Sequence, residues 1–176
     1  MVVPTLFVTG SCGVGKSRIV AEIFDVLAGA DVAGAAVDLD ALAWKWPQDT
    51  PFNRELKFEN LTATWPNYLA HGATRLVLAG VLQDRGELAR YEDAIPGASI
   101  TVCRLIAPES LRISRLVERM PPGPHRDWHV QRTVELEEIL ARNNAEDFTV
   151  SNDERPPQEV AREVLSRIGW LSLDRG

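Results

Sequence analysis

A chain of 176 residues, 45% hydrophobic and 25% charged, fits one globular domain large enough to bury a real core. Its formal net charge of -6 and pI of about 5.1 argue against general nucleic-acid binding, and two cysteines are too few for a disulfide framework. No apolar run is long enough to span a bilayer, and the first strand begins too early to leave room for a signal peptide. The expected setting is the cytoplasm, away from membranes, with the chain a monomer or homodimer.

The first element, residues 4–9, is a short apolar run that predicts a buried strand. Gly10-Ser11-Cys12-Gly13-Val14-Gly15-Lys16-Ser17 follows at once and fits the phosphate-binding loop pattern G-x-x-x-x-G-K-[ST]. Glycines let backbone N–H groups converge on phosphate oxygens, and the following helix adds the positive end of its dipole. Lys16 is expected to reach the β- and γ-phosphates, and Ser17 to bind Mg²⁺. That helix is predicted over 18–28, from Arg18, with Ile19, Val20, Ile23, Val26 and Leu27 at helical spacing. The order strand, loop, helix is the one the motif requires, so ATP is the expected ligand of Gly10 through Arg18.

Further strands are predicted at 33–39, 75–82, 99–106 and 148–150. Helices are predicted at 52–71, split or kinked at Pro66, then at 84–91, 108–120 and 131–143, with a last one from Pro156 or Pro157. Pro121-Pro122-Gly123-Pro124 breaks the 108–120 helix, and residues 121–129 are expected to form a lid. Strict alternation of strand and helix predicts a five-stranded parallel sheet covered on both faces, the α/β three-layer sandwich of P-loop NTPases. Ligands in such folds bind at the C-terminal ends of the strands.

Asp38-Leu39-Asp40 falls at such an end. Alternate residues of a strand share a face, so both carboxylates can point into one cleft. Phosphoryl transfer to an alcohol uses one carboxylate on the hydroxyl and another to organise Mg²⁺ water. The alternative is that Asp40 caps the next helix and Asp38 faces solvent. Strand three carries no acidic residue at its end, which leaves Ser17 and Asp38 as the candidate metal residues. No N-K-x-D and no D-x-x-G follows, so the chain is not read as a GTPase.

Arg112, Arg115 and Arg119 share one helix face before the proline break, and Arg126 follows it. Arg115 and Arg119 are the candidates for covering the nucleotide and neutralising the transferring phosphoryl group, with a solvated basic face as the alternative. Trp44, Trp46, Trp65 and Trp128 fall in segments expected around an acceptor pocket or the lid, where aromatic walls suit a ring-bearing or sugar-like acceptor, with plain packing as the alternative. His125 and His129 have no cysteine or carboxylate cluster beside them and are not read as a zinc site.

With these residues placed, the chain resembles the small P-loop kinases of the shikimate kinase, gluconate kinase and chloramphenicol phosphotransferase type. The resemblance is specific at residues 10–17, fair at 38–40 and otherwise follows the order of elements. It implies an ATP- and Mg²⁺-dependent phosphotransferase acting on a small-molecule acceptor. Similarity to shikimate kinases makes Asp40 the base and Asp38 the metal helper; similarity to chloramphenicol phosphotransferases, through Val37-Asp38, makes Asp38 the base. Of the shikimate-kinase glycine cluster after strand three only Gly80 is present, and its acceptor-binding Phe-Arg pair is not reproduced, Phe52-Asn53-Arg54 coming only close. Arg54, Gly80 and Arg126 are therefore the substrate candidates beside Asp40, and the turn at 151–155 is expected near the adenine. A nucleotide-binding switch protein acting on a protein partner is the competing class. A kinase needs an enclosed, mostly dry cavity between Asp38, Asp40 and Gly80; a switch protein needs a flat exposed surface there.

Overall fold

The computed structural model describes residues 1–171. Five parallel strands, β1 (Val3–Thr9), β2 (Ala35–Asp38), β3 (Leu76–Ala79), β4 (Ala98–Ile106) and β5 (Phe148–Ser151), form one sheet in the order β2-β3-β1-β4-β5. β1 pairs with β3 on one side and β4 on the other. The loop leaving β1 thus lies at the switch in strand order, where parallel sheets open a crevice.

Alternation along β1 divides the core. Leu6 and Val8 face α1 (Lys16–Gly29) and α6 (Pro157–Arg167), while Val3 and Phe7 face α2 (Arg54–Ala70) and α3 (Leu88–Ala94). All four residues of β3 are buried, as expected for a strand covered on both faces. Strands and helices thus form the predicted three-layer α/β sandwich. Among the described residues, no helix is long and apolar enough to cross a membrane.

Three local expectations are corrected. α2 passes unbroken through Pro66, because Phe58, Leu61 and Trp65 are buried against the sheet and outweigh the roughly 3 kcal/mol that an interior proline costs. Trp65 is therefore core, not pocket wall. The helix expected to start at Gln131 starts seven residues earlier, as α5 (Pro124–Asn143), with Pro124 at its first position. Proline lacks the N–H that a first turn leaves unbonded anyway, so Pro124 opens this helix where it was read as part of a break. Between α4 (Glu109–Arg119) and α5 only Met120 to Gly123 is non-helical, and residues 124–129 of the expected lid form the first turns of α5.

Candidate active site

The loop from Gly10 to Lys16 is held from outside by its carbonyls. Thr133 Oγ1 of α5 donates to Cys12 O at 2.6 Å, and Asn152 Nδ2 donates to Val14 O at 2.7 Å. In a trans peptide the N–H points opposite to the C=O, so these anchors turn the N–H groups of Gly13 and Gly15 toward the concave side. Both glycines have left-handed backbones, φ 74° and 99°. A Cβ on Gly13 would collide with Arg112 O, and one on Gly15 would stand 2.5 Å from Asn152 Nδ2. Only glycine fits either place. Gly10 leads out of β1 into the loop, and Val14 is fully buried beneath it.

Lys16 Nζ donates to Gly10 O (2.8 Å) and Ser11 O (3.1 Å). Burial pushes its pKa below the ordinary lysine value, opposed by the charges of Asp40 and Asp38. Arg119 is exposed on the last turn of α4, and its like charge adds to the lowering of the Lys16 pKa. Ser17 and Arg18 are exposed at the start of α1.

Asp38, at the end of β2, accepts from Ser17 Oγ at 2.9 Å through Oδ2 and from Asp40 N at 3.0 Å through Oδ1. It does not face solvent alone. Asp40 makes no capping bond to the short 3₁₀ turn Ala41–Ala43 that follows it; its exposed carboxylate lines a cavity instead. A serine hydroxyl and a carboxylate oxygen side by side are hard oxygen donors of the kind Mg²⁺ takes, and they fit that ion. The described residues hold no cluster of three or more His, Cys, Asp or Glu side chains suited to a metal. The ion would therefore complete its shell with phosphate oxygens and water.

Two of the three arginines of α4 are tied into the protein rather than solvated. Arg112 is buried, bonded to Ala107 O and to Thr133 Oγ1. Arg115 donates to the carbonyls of Val14, Asn152 and Asp153, and so bridges the loop to the turn after β5. Beneath the loop, Ser11 Oγ donates to Glu137 Oε2 at 2.8 Å, and Arg104 of β4 pairs with Glu137 (2.9 Å) and Glu146 (2.8 Å). Ser11 is thus turned away from the concave side, toward α5. Glu146 is 5% exposed, so its charge depends on Arg104. Arg104→Leu is expected to destabilise the protein by about 3–5 kcal/mol, read from the urea midpoint. An unchanged midpoint would mean that the pair adds nothing net.

The cavity, about 830 Å³, runs from Cys12 and Asp40 to a rim at Trp44, Phe52 and Trp128. It is of the size that ligand sites occupy. It departs from the dry cavity between Asp38, Asp40 and Gly80 expected of a kinase: of those three only Asp40 lines it, and Arg54, Lys57 and Arg132 face it along with Glu55 and Glu87. Arg54 pairs with Glu87 at 3.2 Å. Two sequence candidates stand apart. Gly80 is buried, donates to Val8 O and packs against Leu39, while its neighbours Val81 and Gln83 line the cavity. Arg126 lies 3.8 Å from Asp127 and is not a lining residue, and neither is Trp46.

Lys57 and Arg132 escaped sequence reasoning, although their spacing carries a signal. His125, His129, Arg132 and Leu136 recur every three to four residues along α5, and with Trp128 they line the cavity together. That stripe is visible only once the helix is started at Pro124.

Parallel order β2-β3-β1-β4-β5, a glycine loop after the central strand and a roofing helix pair define the fold of the small P-loop kinases. The tunicamycin resistance protein of Deinococcus radiodurans matches over 95% of this chain and 96% of its own, with TM-score 0.66 and 16% identity. The APS kinase of Mycobacterium tuberculosis, solved with AMPPNP and APS, matches over 95% and 98%, with TM-score 0.63 and 20% identity. Shikimate kinase from Acinetobacter baumannii, solved with shikimate, matches over 98% and 96%, with TM-score 0.59 and 14% identity. No protein-family model and no curated protein sequence matches the chain.

Proposed function

We propose that the chain is an ATP- and Mg²⁺-dependent kinase that phosphorylates a hydroxyl of a small molecule. The observation that carries this is the cavity: it adjoins the phosphate loop at Cys12, has Asp40 in its wall and is roofed by α5. A switch protein would present a flat surface at that place. The solved kinases of the same fold, among them one holding AMPPNP and APS, support the same reading.

In this reading the N–H groups of Gly13 and Gly15, with Lys16, hold the phosphates of ATP. Arg115, and the turn after β5 that it joins, flank the nucleotide. Ser17 and Asp38 would hold Mg²⁺, which when bound neutralises charge on the β- and γ-phosphates. Arg132, in the cavity wall, and Arg119, on the last turn of α4, are the cations that would neutralise the transferring phosphoryl group. Asp40 orients the acceptor. The hydroxyl oxygen bonds to the γ-phosphorus and the bond to the β,γ-bridging oxygen breaks. ADP keeps that electron pair, and the hydroxyl proton passes to Asp40. The lid role falls to the Pro121-Pro122-Gly123 link and the first turns of α5.

ADP release, followed with and without a panel of polyols, nucleosides and aryl alcohols, tests this; the rate is expected to rise with one acceptor class. The same release at every acceptor concentration, including none, would contradict it. Asp38→Asn is expected to raise the Mg²⁺ concentration for half-maximal rate by about tenfold while changing kcat at saturating Mg²⁺ far less. A collapse of kcat with unchanged Mg²⁺ dependence would assign Asp38, not Asp40, as base.

A further inference from the structure

Three aromatic side chains stand exposed at the cavity rim: Trp44 (87%), Phe52 (63%) and Trp128 (46%). Apolar rings are seldom left in water without a reason when they cluster around one opening. Phe52 and Trp128 lie 6.4 Å apart between ring centroids, with planes tilted by 44°, although they come from different elements. Trp128 also meets His129 edge-on at 4.7 Å.

The rim is built, not loose. Asn53 is 2% exposed, and its amide donates to Ala43 O and Lys45 O, both at 2.8 Å, while its Oδ1 accepts from Asp49 N at 3.1 Å. One buried side chain thus pins the whole segment from 43 to 53. Phe52 sits beside it at φ 58°, a backbone region that bulky residues seldom enter. The strain is held by the pinned turn, and its result is a ring presented outward beside Trp128.

Inside the rim the free chemistry narrows. Glu87 is paired with Arg54, and Glu55 with Arg90 at 2.6 Å. Lys57 is half-buried, donates to Tyr91 Oη at 3.0 Å and lies over the Phe58 ring at 4.7 Å. It has no carboxylate within salt-bridge distance among the described residues. Asp40 and Lys57 are thus the cavity's acid and base that carry no opposite charge of their own.

We infer that the acceptor is an amphiphilic, ring-bearing alcohol: its planar ring lies among Trp44, Phe52 and Trp128, its hydroxyl reaches Asp40, and an oxygen of its polar part accepts from Lys57. This rests on the kinase reading and narrows its substrate class. A compact polyol would leave the three rings in water and lose what ring contacts add beyond burial. The cavity's 830 Å³ accommodates the larger molecule.

Saturation-transfer difference NMR on an equimolar mixture of phenyl β-D-glucoside and methyl β-D-glucoside, with AMPPNP and Mg²⁺ present, tests the inference. The phenyl compound is expected to bind about tenfold more tightly and to show strongest transfer at its ring protons. Trp128→Ala is expected to bring it down to the methyl compound's level, and Trp128→Phe to restore most of the difference. Equal transfer, no transfer to either glucoside, or a phenyl preference that survives in the Trp44→Ala/Trp128→Ala double variant would overturn the inference. AMPPNP resonances in the same spectra separate the two readings. Saturated AMPPNP without a phenyl preference overturns the acceptor class alone, and unsaturated AMPPNP overturns the kinase reading with it.

Discussion

Lys16→Ala is expected to lower kcat by about 10²–10³-fold and to leave the protein folded. The lysine's described hydrogen bonds are to Gly10 O and Ser11 O, loop carbonyls that water can reach once the side chain is shortened. Core packing above and below the sheet does not involve it. In the proposed mechanism its charge is the one that the loop itself supplies to the phosphates, and that charge matters most as negative charge builds on the transferring group. A melting temperature within a few degrees of the parent, together with the loss of ADP release, is the expected pair of results. Full activity in the variant would remove the phosphate loop from the mechanism.

Asp40→Asn is expected to lower kcat by about 10²–10⁴-fold with AMPPNP affinity nearly unchanged. Asparagine keeps the shape and can still orient an acceptor hydroxyl, but it cannot take the proton. The carboxylate bonds no helix N-terminus, so the change should cost little stability. The exposed Asp40 carboxylate lines the cavity that adjoins the loop at Cys12. Calorimetry with AMPPNP and single-turnover rates separate the two effects. A drop in nucleotide affinity equal to the drop in rate would mean that Asp40 serves nucleotide binding rather than proton transfer.

How far the sequence carried depended on how local each feature is. The phosphate loop is written in eight consecutive residues whose backbone needs are their own. Alternation of strand and helix, read from apolar periodicity, yielded the sheet and its layers. Asp38 and Asp40 were legible as a pair, but the hydrogen bond that turns Asp38 to Ser17, twenty-one positions away, was not, because no local pattern specifies it. The start of α5 was missed because the same proline that breaks one helix is favoured at the first position of the next. That single shift hid the face from His125 to Leu136 and Arg132 with it. The buried Arg104–Glu137–Glu146 network needs three separate elements and leaves no local signature. The burial of Arg112 was hidden for the same reason, its partners being Thr133 and the Ala107 carbonyl.

The most direct measurement follows the phosphoryl group itself. ATP radiolabelled at the γ-phosphate is incubated with the protein, Mg²⁺ and a protein-free, low-molecular-weight cell extract, and organic phosphates are then separated from inorganic phosphate. The kinase account predicts label in an organic phosphate, formed by the parent protein and not by Lys16→Ala or Asp40→Asn. Label released only as inorganic phosphate, at a rate that the extract does not change, would contradict it.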